Sequence, residues 1–146
     1  MNSKVVKLCL RLALSAGFLS AVADRFGLWS KENSVWGNWE NFLAYTKVLN
    51  PFIPESLISP VGIIATTLEI IFAIFLLLGF KTELFAKLSG YLLLLFGFSM
   101  IFAIGIKAPL DYSVFTGAAA CFALSLLKEK YLEVDILTLK NNYESN

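Results

Sequence analysis

Polar and apolar residues fall along this chain in long blocks, not at the short period of a strand. Four apolar blocks stand out: Val5 to Ala23, Val61 to Phe80, Leu88 to Ile106 and Tyr112 to Leu127, with 19, 20, 19 and 16 residues. A hydrocarbon core takes about 20 apolar residues per helix, within a range of about 17 to 25. The first three blocks therefore read as membrane-crossing helices. The fourth falls a little short, but Pro109 and Asp111 mark a helix start before it, with Asp111 as the expected N-cap. The blocks take up about half the chain, and the expected fold is all-α: an integral membrane four-helix bundle over residues 1–127, followed by a polar cytoplasmic tail, 128–146, read as a short helix and then a disordered end.

Between the first two blocks lies a long loop, 24–60. Within it Asn38 is placed to cap a short helix that sets Trp39, Phe42, Leu43, Thr46 and Leu49 on one side and Glu40, Asn41 and Lys47 on others. Pro51 and Pro54 end it. An amphipathic helix with Trp and Tyr is suited to the headgroup layer, so this loop is expected to carry an interfacial helix. Trp36, Trp39 and Tyr45 serve either as an anchoring belt or as a lid stacking on a flat ligand such as a quinone.

Composition narrows the classes further. Hydrophobic residues make up 58% and charged residues 16%, with a mean hydropathy of +0.72, beyond what a soluble monomer of 146 residues can bury. A net charge of +1 offers no field for a nucleic-acid backbone, so nucleic acid is excluded as a partner. The chain has no His and only two Cys, Cys9 and Cys121, neither in a C-x-x-C pair. No zinc site, His-ligated haem or catalytic His can be built, no metal site is expected, and no cofactor motif is intrinsic to the chain.

The few charges report topology. Lys4, Lys7, Arg11, Lys81, Lys87, Lys128, Lys130 and Lys140 cluster at one end of the blocks, whereas Arg25, Lys31, Lys47 and Lys107 lie at the other. By the positive-inside rule both termini are cytoplasmic. Ala21-Val22-Ala23 before Asp24 also resembles a signal-peptide cleavage site, but Arg11 inside the apolar region argues for a retained helix.

Glu69 is the carboxylate the membrane should reject. It lies twelve residues before Lys81, about 18 Å from that end of its block. The same count from the other charged ends reaches Ser99 and Thr116 and the neighbourhood of Ser15. Gly62, Thr66, Glu69 and Ala73 share one face suited to close packing about a polar centre. Arg11 is the candidate partner from the first block, although its side chain leans away. Burial favours the neutral acid and a nearby cation the carboxylate, so Glu69 reads either as a proton or ligand site or as a hydrogen-bonding centre that fixes helix register. At the opposite end Asp24, Arg25, Lys107, Asp111 and Tyr112 form an expected polar cluster, holding helix ends by ion pairs or binding an anion. No catalytic residue is identified.

On the first block Arg11, Ser15, Phe18, Val22 and Arg25 fall on one face. This stripe resembles the DoxX family of bacterial four-helix membrane proteins, with Ser15 and Val22 where that pattern often has Gly. Closer still are Ala23-Asp24-Arg25-Phe26-Gly27-Leu28-Trp29, Gly37-Asn38-Trp39 with Phe42, Tyr45 and Leu49-Asn50-Pro51, and the run Gly105-Ile106-Lys107-Ala108-Pro109-Leu110-Asp111-Tyr112-Ser113-Val114-Phe115. The resemblance covers nearly residues 8 to 127. It implies a multi-pass protein of the bacterial inner membrane, since relatives include a subunit associated with thiosulfate oxidation coupled to quinone reduction. Two readings follow: a subunit or accessory of a quinone-linked redox complex beside a partner subunit, or a non-enzymatic binding or assembly module, a carrier of lipid or small solute, with homo-oligomers open to either.

Overall fold

The computed structural model describes residues 2–136, which are helical with no strand among them. The helices are α1 (Ser3–Arg25), α2 (Trp39–Leu49), α3 (Glu55–Leu78), α4 (Thr82–Ile104), α5 (Lys107–Asp111) and α6 (Val114–Leu126). α1, α3 and α4, with 23, 24 and 23 residues, are long and apolar enough to cross a membrane. This is the pattern of a helical membrane protein. Asn2 caps α1 by accepting from the Lys4 amide, and Asn38 caps α2 by accepting from the Asn41 amide at 2.8 Å. α3 starts directly after Pro54, six residues earlier than its apolar block, and ends at Gly79, whose φ of 71° is the left-handed cap geometry that glycine adopts without strain.

The fourth block departs from expectation. α6 has 13 residues, about 20 Å of helix, against a core of about 30 Å. Asp111 is not its N-cap: it ends α5 and pairs with Lys107 one turn back, while Ser113 takes the position before α6 with φ 56°. The chain breaks there because Lys107–Asp111 closes its own short helix and a left-handed residue must intervene before the next one begins.

Packing runs around a closed path, α1 on α3, α3 on α4, α4 on α6 and α6 on α1, while among the described residues no Cα of α1 comes within 8 Å of one in α4, nor any of α3 of one in α6, so across those diagonals only side chains meet. Small residues set the approach distances. A Cβ at Gly90 would lie 2.8 Å from the Phe122 ring and one at Gly97 2.9 Å from Phe115, so α4 and α6 meet with rings seated on glycine. At Gly62 a Cβ would come within 2.7 Å of Leu43, which brings α2 down onto α3. The small and polar face of α3 is the one it buries, with Gly62, Thr66, Glu69 and Ala73 all inside. Phe18, Phe72, Ala73 and Leu92 form one apolar cluster, and Leu76, Ala86 and Leu124 a second, joined by Leu10 and Leu14 of α1.

The tail does not hang free after Leu127. Residues 128–136 fold back as a strap over the end of the helices that holds the N-terminus. Lys7 Nζ donates to the Glu129 carbonyl at 2.7 Å and pairs with Glu133 at 2.7 Å. The Val134 amide donates to the Leu78 carbonyl, and Asp135 accepts from the Lys81 amide. At the exposed Glu129, a hydrogen bond from its own amide and one from the Ser3 hydroxyl hold the carboxyl below the usual range. Residues 128–133 are not helical, contrary to the short helix expected at the start of the tail, because their backbone and side chains are spent on α1; the end of the tail expected to be disordered lies outside the described residues. Glu133→Ala strands Lys7 and Arg11 without their buried counter-charge, and loss of one partner of such a set costs about 3 to 5 kcal/mol. The expected outcome is a lower unfolding temperature in detergent together with new protease cleavage between Lys128 and Ile136.

Candidate functional site

Arg11 and Arg25 leave the same face of α1 and meet opposite fates. A helical side chain leans toward its own N-terminus, so Arg11 reaches back toward the strap and Arg25, at the last residue of α1, reaches back into the apolar interior. Arg11, 1% exposed, spends its donors on backbone carbonyls: Nε on Leu76 at 2.8 Å, Nη2 on Leu77 at 2.8 Å, and Nη1 on Tyr131 and Leu132 at 3.1 and 2.9 Å. Leu76 and Leu77 belong to the last turn of α3, whose carbonyls lack helical partners. Arg11 therefore caps α3 and ties the strap to it, with Glu133 at 3.8 Å supplying charge.

The expected pairing of Arg11 with Glu69 is thus replaced by Arg25. Its Nη2 donates to both carboxylate oxygens of Glu69, at 2.8 and 2.9 Å, and Nη1 donates to Thr66 Oγ1 at 2.7 Å. The guanidinium carbon sits 4.1 Å from the Phe42 ring centroid and 5.4 Å from that of Trp36. Arg25 is 4% exposed and Glu69 1%. A desolvated guanidinium gains from aromatic faces as well as from its counter-ion, which suits this arrangement of one carboxylate and two rings.

Asp24, the neighbouring residue, organises the loop that supplies Trp36. Its carboxylate accepts from the amides of Val35 and Trp36 at 2.9 Å, from that of Gly37 at 3.3 Å and from the Ser34 hydroxyl. Gly37 meets this clamp with φ 72°. The indole of Trp36 packs edge-on to Phe42 and tilted against Tyr45. Burial first, and Tyr112 second, push the Tyr45 phenol up from its ordinary value, so it is neutral at pH 7.

These groups border a cavity of about 1250 Å³ among α1, α2, α3, α4 and α6. Its lining is mainly apolar, with Phe18, Leu68, Leu92 and Phe96 among the walls and Arg25, Glu69, Trp36 and Tyr45 as polar features. Two donors on lining residues, Arg25 Nε and Trp36 Nε1, have no acceptor, and both atoms are covered from the cavity as it stands. An unmet buried donor costs roughly 1 to 3 kcal/mol, so acceptors brought by a ligand would be favoured once these side chains turn toward it.

The remaining expected site residues separate. Ser99 lines the cavity, Ser15 is buried with its hydroxyl unpartnered and away from the lining, and Thr116 is exposed on α6. None of the three bonds Glu69. The outer cluster does not assemble as one unit: Asp24 holds the loop, Arg25 holds Glu69, Lys107 and Asp111 pair with each other on the surface, and Tyr112, 62% exposed, reaches the cavity rim. Of the aromatics, Trp36 and Tyr45 line the cavity. Trp39 instead stacks on Phe26, with centroids 5.9 Å apart, and packs near Gly62. Among the described residues no group of His, Cys, Asp and Glu is placed to hold a metal ion.

The chain matches no family model, no curated protein and no solved structure. Arg25→Ala and Glu69→Ala are each expected to lower stability by about 3 to 5 kcal/mol, because each leaves a buried charge alone. Equilibrium unfolding in detergent should give a double variant Arg25→Ala/Glu69→Ala far less destabilised than the sum. Arg11→Ala combined with Glu69→Ala should be additive, since those residues share no contact.

Proposed function

We propose that this protein is a multi-pass component of the bacterial inner membrane, with both termini cytoplasmic, that binds a quinone in its internal cavity as a subunit or accessory of a membrane redox complex. The observation that carries the reading is the large apolar cavity bordered by a buried Arg25–Glu69 pair with two unused donors, Arg25 Nε and Trp36 Nε1. The membrane placement rests on the three long apolar helices and on eight of the twelve basic residues lying at one end of the apolar blocks. In this reading α1, α3, α4 and α6 form the four-helix bundle, and α2 lies in the headgroup layer. The DoxX-like sequence runs add the redox context.

A quinone has the two features the cavity calls for, a flat ring and carbonyl acceptors. Bound there, it would supply the electron and proton acceptor that the chain lacks. The chain's own part is binding and proton handling. Trp36 and Tyr45 offer faces for the ring, and Arg25 Nε and Trp36 Nε1 are the donors a small side-chain adjustment would turn onto carbonyl oxygens. Glu69 accepts both of its hydrogen bonds from Arg25 Nη2 beside the cavity, and its Oε atoms would be placed to hold or release a proton if Arg25 shifts toward a ligand. Electrons must come from a partner subunit.

The test is thermal unfolding and tryptophan fluorescence of the detergent-purified protein with a decyl-tailed benzoquinone. At ligand near 100 times Kd the stabilisation is about 2.7 kcal/mol, read as a higher unfolding temperature, and indole emission should be quenched. Trp36→Phe keeps the packing surface, removes the donor and should reduce both signals. An unchanged unfolding temperature with quinone, with lipid or another small solute co-purifying instead, would favour a carrier or assembly module.

A further inference from the structure

We infer that the cavity is entered sideways from the bilayer, through a gap between α1 and α6 at Gly17, and that its ligand is a long-tailed amphiphile whose tail lies in that gap. The inference deepens the proposed binding site and rests on that reading. α1 packs near α6 through Leu10 and Leu14, which lie against the cluster of Leu76, Ala86 and Leu124. A Cβ built on Gly17 meets nothing within 4 Å. Ala13, Gly17 and Ala21, spaced one turn apart on α1, line the cavity, with Gly117 and Val114 of α6 also in its wall. Ala13 and Gly17 are also exposed. The cavity is therefore open at small residues of a helix apolar enough to lie in hydrocarbon.

Volume and polarity define what fits. Pockets for drug-sized molecules run about 300 to 1,000 Å³, and this one is larger at about 1250 Å³. A ring against Trp36 and Tyr45 leaves most of that space empty. Arg25, Glu69, Trp36 and Tyr45 offer polar groups for a head with acceptor atoms, and Ala13, Gly17 and Ala21 offer small residues along α1 for an alkyl or isoprenoid tail. The Arg25 guanidinium is already engaged by the Glu69 carboxyl, and the Asp24 carboxylate also borders the cavity, which favours an uncharged head over an anionic one. Trp29, whose indole donates to the Ser20 carbonyl at 3.1 Å, lies along the same stretch of α1 at the loop end of the gap.

The experiment compares wild type, Gly17→Ala, Gly17→Trp and Ile63→Trp in detergent. Each is titrated with a decyl-tailed benzoquinone and with the same ring lacking its tail, followed by tryptophan quenching and thermal shift. Ile63 is exposed on α3 and lies off the cavity lining, so it controls for a bulky residue elsewhere on the apolar surface. Gly17→Ala should bind as wild type, and Gly17→Trp should weaken the tailed quinone by about tenfold or more. Wild type should prefer the tailed molecule by a similar factor. Equal binding of the tailed quinone by wild type and Gly17→Trp, equal weakening by Ile63→Trp, or equal affinity for tailed and tail-less rings overturns the inference while leaving the quinone reading in place. A change of oligomeric state in Gly17→Trp with unchanged quinone binding overturns it too, assigning the gap to a second copy. Absence of any quinone binding by wild type removes the proposed function and this inference together.

Discussion

Charge carried into apolar surroundings by α1 has to be met by other elements, and much of the architecture follows from how that is done. An ionisable group in a membrane core costs about 2.5 to 3.5 kcal/mol on insertion scales, so each must find a partner. Lys7 and Arg11 at one end and Arg25 at the other are all buried. The first two draw the C-terminal strap over the helix ends. The third draws Glu69, Thr66 and the aromatic loop together. One helix thus organises both ends of the protein, and the lean of its side chains toward its N-terminus decides which end each cation serves.

The two ends differ in what they leave unsatisfied. At the strap end the donors of Arg11 are matched by four carbonyls and a carboxylate, and the left-handed Gly79 lets the chain turn beside them. Every nitrogen of that guanidinium has an acceptor. At the loop end the Asp24 carboxylate is fully used on its loop, yet Arg25 Nε has no acceptor, and neither has the indole Nε1 that Arg25 faces. Rings are seated on glycine at Gly90 and Gly97, whereas a side chain added at Gly17, on the cavity side of α1, would meet nothing within 4 Å.

Most of the helical frame can be read from the sequence because block length and apolar content alone fix it. The buried stripe of α1 and the small face of α3 follow from helical periodicity, and Asn38 shows its cap by residue type. Counting residues from the block ends sets Arg11 against Glu69, because it compares Cα heights, whereas the Arg25 guanidinium hangs a further turn toward the N-terminus of α1 and reaches the carboxylate. The lean of helical side chains, applied to Arg25 as to Arg11, is the signal for that pair. The strap had no such signal: Glu133 looks like an ordinary charge in a polar tail, and its burial exists only because Lys7 and Arg11 converge on it. The break at Ser113 was hidden for a similar reason, since Lys107 and Asp111 satisfy each other four residues apart and remove the carboxylate from the capping role.

The Arg25–Glu69 pair also constrains how the site can work. Replacing a buried ion pair by apolar residues is often neutral or stabilising, so stability alone gives a weak reason to keep one. The pair here costs its surroundings a carboxylate and a guanidinium in a mainly apolar cavity, and Arg25 is still left with an unmet donor. Arg11 shows that Nε and both Nη atoms of one guanidinium can be engaged at once, so an acceptor reaching Arg25 Nε would relieve that donor while Nη2 stays on Glu69. The pair and the unmet donor are thus separate features of one side chain: the first fixes α1 against α3, and the second is what Arg11, with an acceptor at each nitrogen, does not leave open.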